Sequence, residues 1–234
     1  MSAIILFMAA IAAIAVWWLS QQRLTAKPWL EEGAGADFRD EDATPLPPAK
    51  IGLGVFLAVV GSLFALLISA YSMRMNMQDW RPLPVPGLLW FNTGVLILSS
   101  VSLQWAYVAA RRNDVDAVIV GLCAAGASAI IFLLGQMLAW QQLRVAGFFL
   151  ASNPANSFFY LMTAVHALHL VGGLVAVGRT TARVWRGAGV AQVRVSVELC
   201  AFYWHFLLLV WLAVLGLLTG WTNEFVDICR QLLG

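Results

Sequence analysis

Three histidines, His166, His169 and His205, are the only ones in the chain, and all sit in apolar segments. His166 and His169 belong to SFFYLMTAVHALHLVGG (Ser157–Gly173), and His205 to VELCAFYWHFLLLVWL (Val197–Leu212). On a helix, residues three apart share one face, so the first two imidazoles would neighbour each other. Imidazole is the commonest transition-metal ligand, and helical bundles build metal and haem sites from facing helices. The competing chemistry is hydrogen bonding between helices. Two features favour it. No Asp, Glu or Cys lies near His166 and His169 on their own segment to complete a coordination sphere, and three histidines do not form the matched pairs of a bis-histidine haem site.

Other polar groups interrupt apolar runs. Gln136 and Trp140 are one turn apart; Ser99, Ser100, Ser102 and Gln104 make SSVSLQWA polar. Trp204 and Trp211 are spaced seven apart and fall on one stripe of a helix. Small and hydroxylated residues in such runs signal close helix contact. Glu198 precedes His205 by about two turns, roughly 10 Å, on the same stripe. A carboxylate there could handle protons. The simpler reading places it in the first turn of its helix, where the backbone dipole favours an anion. No Ser/His/Asp set, phosphate loop or pair of carboxylates occurs within the apolar segments.

The elements that must position these residues are membrane helices. Of 234 residues, 61% are hydrophobic and 11% charged, and mean hydropathy is +0.81, far from the soluble norm. Six runs approach or exceed the roughly 20 apolar residues that cross a hydrocarbon core: 2–19, 51–73, 88–110, 117–140, 158–177 and 197–221. None alternates like a barrel strand, and every backbone group must find its partner within its own segment. The expected fold is therefore all-α, a bundle of six transmembrane helices. Arg74, Arg81, Arg144 and Arg230 would lie on one side, and all the other Lys and Arg residues on the opposite side. The basic-rich side is expected to be cytoplasmic, which places both termini on the outer face. The basic residues of the first run (Arg23, Lys27) follow it rather than precede it, so it reads as a retained helix and not as a cleaved signal.

Four regions are expected: an N-terminal helix at 1–20, an acidic and Pro-rich cytoplasmic linker at 21–50, a five-helix core at 51–222, and a short outer tail at 223–234. The linker carries Glu31, Glu32, Asp37, Asp40, Glu41 and Asp42 and too little apolar surface to fold alone. A net charge of +2 offers nothing to nucleic acid. Cys123, Cys200 and Cys229 show no metal spacing; the first two read as buried packers. Most of the eleven tryptophans, Trp140 among them, fall near helix ends as an interfacial belt.

From Lys50 to Trp221 the chain resembles subunit III of the haem-copper terminal oxidases, the cytochrome c oxidase subunit 3 family. TAVHALHLVGG (Thr163–Gly173) is similar to that family's paired-histidine segment. VELCAFYWHFLLLVWL is similar to its VExxxxYWHF stretch, and LLWFNTGVLILSSVSLQWA (Leu88–Ala106) to its LNT…SS stretch. Phe132, Gln136 and Trp140 match a further motif in which Ala139 replaces the family's glutamate. The resemblance implies a non-catalytic subunit that contains no haem or copper of its own. Such a subunit packs on the catalytic subunit I, which with subunit II holds the haem and copper. It also binds structural phospholipid and supports proton uptake in aerobic electron transport at a bacterial inner membrane. The enzyme would be the whole complex, a proton-translocating cytochrome c oxidase. Glu198, His166, His169 and His205 fall on retained motif positions. Val60 and Leu208 stand where the family carries buried acids, so proton roles tied to those acids do not carry over. Related readings are a ubiquinol oxidase subunit III or an accessory subunit of nitric oxide reductase; a haem-binding membrane cytochrome is the rival from another class.

Overall fold

The computed structural model describes residues 48–220, with only the backbone described at residues 190 and 191. The expected helix at 2–19, most of the linker and the outer tail lie outside the described residues. Five helices are present within them: α1 (Pro48–Arg74), α2 (Leu88–Arg111), α3 (Val115–Val145), α4 (Pro154–Trp185) and α5 (Val190–Leu218). All five are long and apolar enough to cross a membrane, and no strand occurs among the described residues. They coincide with the last five apolar runs of the sequence, extended at their ends.

Those extensions correct two expectations. Pro48, placed in the linker, opens α1, where its fixed φ and missing N–H are tolerated. Arg179, Arg183 and Arg194, which fall between the fifth and sixth apolar runs of the sequence, lie on α4 and α5. The connection between these helices is a short turn through Gly187 at φ 85°, a left-handed conformation that glycine adopts without steric cost. Polar helix ends carry no apolar signal, so hydropathy sees only the part of each helix that lies in hydrocarbon.

The chain divides into two compact units, residues 1–56 and 57–234. In the first, the described residues are the N-terminal turns of α1, where Ile51, Val55 and Phe56 are exposed. In the second, α2 and α3 form the most intimate pair, α5 lies against both α2 and α4, and α4 also packs on α3. The α2–α3 turn is tight: Asn113 is left-handed at φ 58°, and the Asp114 side chain accepts from the Ala117 N–H at 3.1 Å to cap α3. Asn153 caps α4 through Ala155 N–H and also donates to the Arg81 carbonyl at 2.6 Å. It thereby pins the Pro-rich segment before α2 to the start of α4. Tyr71 meets the rings of Trp80 and Phe158 edge-on.

Small residues bring α2 and α3 together. A Cβ at Gly121 would fall 2.8 Å from Ala106 Cβ and 3.0 Å from the Ser102 carbonyl oxygen, closer than carbon approaches other heavy atoms. Membrane helices gain affinity from such backbone approach, because lipid supplies no hydrophobic drive for one helix to leave it for another. By contrast, α1 buries only Val60 and Phe64, which join Met162, Val214 and Leu217 in an apolar cluster.

Gly121→Val is expected to push α2 from α3 and to destabilise the purified chain by about 1–3 kcal/mol, measured as a lower midpoint in denaturant or heat. Gly94→Ala, with open space around the position, should leave that midpoint unchanged or raise it slightly.

Candidate functional site

Polar side chains on the inward stripes of α2, α3, α4 and α5 meet across helix boundaries. They must do so, since hydrocarbon offers no donors or acceptors. Trp211 of α5 donates its indole N–H to Thr93 Oγ1 of α2 at 2.9 Å. Its ring lies 5.1 Å from that of His166 on α4 and meets Phe132 of α3 edge-on at 4.9 Å. One side chain therefore touches all three neighbouring helices. Trp140 of α3 donates to Thr163 Oγ1 of α4 at 3.0 Å, and Ser99 of α2 donates to the Ala125 carbonyl of α3 at 2.9 Å. Tyr203 of α5 donates to the His169 carbonyl of α4 at 2.9 Å. Gly173 of α4 leaves room for this last contact: a Cβ there would lie 2.7 Å from the rings of both Tyr203 and Trp204.

The three histidines part company. His205 bridges α5 to α2 through both ring nitrogens. Nδ1 lies 2.6 Å from Ser100 Oγ and Nε2 lies 3.0 Å from Gln104 Oε1. An amide oxygen only accepts, so Nε2 carries the proton; in the neutral ring Nδ1 then accepts from the Ser100 hydroxyl. His169 donates from Nδ1 to the Val165 carbonyl of its own helix at 2.8 Å. His166 is fully buried, between Phe64 at 6.3 Å, Phe132 at 5.9 Å and Trp211. Among the described residues neither of its nitrogens has a hydrogen-bond partner. Interhelical bonding by imidazole thus holds for His205, whereas His166 works as an aromatic packer.

Gln136 is buried and its carboxamide has no partner among the described residues; Asn92 and the indole N–H of Trp204 are in the same state. Asn92 fits only because residue 135 is glycine: a Cβ there would sit 2.1 Å from Asn92 Oδ1. Trp204 and Trp211 are both fully buried, as their shared stripe requires. Trp140, assigned from sequence to the interfacial belt, points inward to Thr163.

Two further sequence readings change. Glu198 does not open its helix: α5 begins at Val190, so Glu198 stands about two turns inside and beyond the reach of the terminal dipole. Cys123 is exposed rather than buried, whereas Cys200 is buried beside the Thr180 hydroxyl. Thr93, Thr163, Ser100 and Tyr203, which hold helices together, were legible only as hydroxyls within apolar runs. Asn92 had the same weak signal.

Among the described residues no three His, Cys, Asp or Glu side chains gather where they could share a metal ion. Both nitrogens of His205 are engaged, and aromatic rings close over His166. Val60 sits in the apolar cluster with Phe64 and Met162. What this geometry can do is hold helices at fixed separations.

A bundle of membrane-crossing helices tied by buried aromatic and hydroxyl contacts is the class these features define. Residues 53–223 match the family model described as cytochrome c oxidase subunit III. A cytochrome c oxidase subunit 3 of Thermostichus vulcanus is 31% identical over 179 residues, covering 72% of this chain and 85% of that protein. The same protein of Synechocystis sp. is 31% identical, covering 70% and 71%. A probable cytochrome c oxidase subunit 3 of Mycobacterium bovis is also 31% identical, covering 68% and 78%. The chain belongs to the cytochrome c oxidase subunit III family and is a multi-pass membrane protein, subunit III of a haem-copper oxidase.

Trp211→Phe should keep the apolar contacts and delete one buried interhelical hydrogen bond. A loss of about 1–2 kcal/mol in unfolding of the detergent-solubilised chain is expected. Thr93→Val in the same background should then add little, which a double-mutant cycle reads directly.

Proposed function

We propose that this chain is the non-catalytic third subunit of a bacterial oxygen-reducing cytochrome c oxidase in the inner membrane. It packs on subunit I, with subunit II in the same assembly, and those partners carry the haem and copper. The chain itself supplies a rigid helical wall, holds phospholipid at its boundary and supports proton uptake by keeping subunit I's cytoplasmic surface in place. His166, His169, Glu198, His205, Gln136, Trp140, Trp204 and Trp211 serve structure rather than catalysis. The single observation that supports this most is Trp211. Its ring and indole N–H are spent on Thr93, His166 and Phe132, so the motif residues brace the bundle.

The domain plan that accompanies this reading has an N-terminal transmembrane helix at 1–20 and a cytoplasmic linker at 21–50. The five-helix core at 51–222 and a tail at 223–234 complete it, with both chain termini on the outer face. A nitric oxide reductase assembly is the second reading, favoured by Val60 and Leu208, since that system need not pump protons; a ubiquinol oxidase is another, because the sequence does not reveal the electron donor. Val60 packs in an apolar cluster, so no carboxylate is available there for proton handling.

Gentle detergent extraction should recover this chain with a large haem-bearing polypeptide whose spectrum carries the haem-copper signature. Oxidase prepared without the chain should begin turnover at a near-normal rate and then inactivate several-fold sooner. Recovery of the chain alone, or unchanged turnover lifetime without it, would sink the reading.

A further inference from the structure

We infer that a buried water molecule bridges Gln136 of α3 and His166 of α4, in a site inside the bundle built for a small neutral molecule that both donates and accepts hydrogen bonds. The inference concerns the core of this chain and does not depend on which assembly the chain serves.

Both side chains are sealed from their surroundings: His166 is 0% exposed and Gln136 1%. Yet both ring nitrogens of His166 and both carboxamide heteroatoms of Gln136 lack a hydrogen-bond partner among the described residues. A polar group taken out of water without a partner forfeits its hydration, and hydrocarbon returns nothing.

Contacts on either side bring the two residues to one level. Phe132, Gln136 and Trp140 follow each other at four-residue intervals and form one stripe of α3. The Phe132 ring lies 5.9 Å from that of His166, and Trp140 donates to Thr163 Oγ1 at 3.0 Å. Gln136 stands between these two contacts, so it faces the turn of α4 that runs from Thr163 to His166. Thr163 has no proton to give it, because that hydroxyl donates to the Phe159 carbonyl at 2.7 Å. Small neighbours leave space: Gly135 precedes Gln136, and Ala139, fully buried, follows three residues later. Asn92 also lacks a partner, but it lies against Gly135, which points about 100° around α3 from Gln136.

The chemistry selects the occupant. Full burial bars a lipid headgroup or a side chain of another subunit. No cluster of acidic, thiol and imidazole groups surrounds the pair among the described residues, so a cation finds no countercharge. Water donates and accepts at once, and therefore serves either orientation of the carboxamide and either tautomer of the ring. Buried waters typically make about three such bonds, and this pair supplies them from two helices. The bridge ties α3 to α4 one turn from the Trp140–Thr163 bond.

The test uses the full chain in lipid bilayers, labelled with ¹⁵N at histidine, glutamine and tryptophan. Solid-state NMR with magnetisation transferred from water should show a water contact at the His166 ring nitrogens, assigned by their loss in His166→Phe. In Gln136→Met that transfer should fall several-fold, while an unshifted Trp211 indole N–H signal reports an intact bundle. A His166 ring with no water contact in the unaltered chain would overturn the inference, as would a direct through-bond coupling between the Gln136 amide and the imidazole. Undiminished transfer in Gln136→Met would do the same, because the water would then not be shared. In thermal unfolding, the double variant should have a midpoint no lower than that of the worse single variant, since removing both partners strands neither; additive lowering would count against a common bridge.

Discussion

The indole of Trp211 is the contact on which the rest of the bundle depends. It reaches from α5 to a hydroxyl on α2, a phenyl ring on α3 and an imidazole on α4. In water such a residue would bury for hydrophobic reasons. Within lipid that drive is absent, and association must come from close packing and directed polar contacts. A large flat ring with a single N–H provides both, because its faces fill space while its one donor finds a fixed acceptor. Thr93 can serve as that acceptor because its own proton goes to the Leu89 carbonyl one turn back at 2.7 Å.

Around this centre the helices divide the labour. Small residues decide how near α2 and α3 come, at Gly121 against Ala106 and at Gly135 against Asn92. Aromatic residues fill the space between α4 and α5, where Gly173 admits Tyr203 and Trp204. Hydroxyls on Ser99, Thr93 and Thr163 then tie α2 to α3, α2 to α5 and α3 to α4. The histidines follow the same logic in three different ways: His205 by bonding to the next helix, His169 by bonding to its own, and His166 by stacking among rings.

Much of the fold was legible in the amino-acid order. Five of the six apolar runs reappear as α1 to α5, because a membrane span is recognisable by length and composition alone. Helix ends were less legible. The polar turns at Arg179–Trp185 and around Val190–Arg194 continue their helices without an apolar signal, and this misplaced Glu198 in a first turn. Within the site, the stripe of Trp204 and Trp211 could be read from spacing, whereas partners could not. Whether Trp140 points to lipid or to Thr163, and whether His166 bonds or stacks, depends on the rotation of a neighbouring helix. Sequence periodicity on one helix does not fix that rotation. Cys123 failed for the same reason: an apolar helix offers no polar face to tell inward from outward.

The turn through Arg112, Asn113 and Asp114 leaves α2 and α3 almost no slack. Two helices so closely tethered, with glycine and alanine already facing each other, meet at a sequence separation of only about one helical hairpin. Contacts that local form early and fast. During synthesis the pair is thus suited to leave the insertion machinery as a finished hairpin, a ready template on which the later-made α4 and α5 assemble.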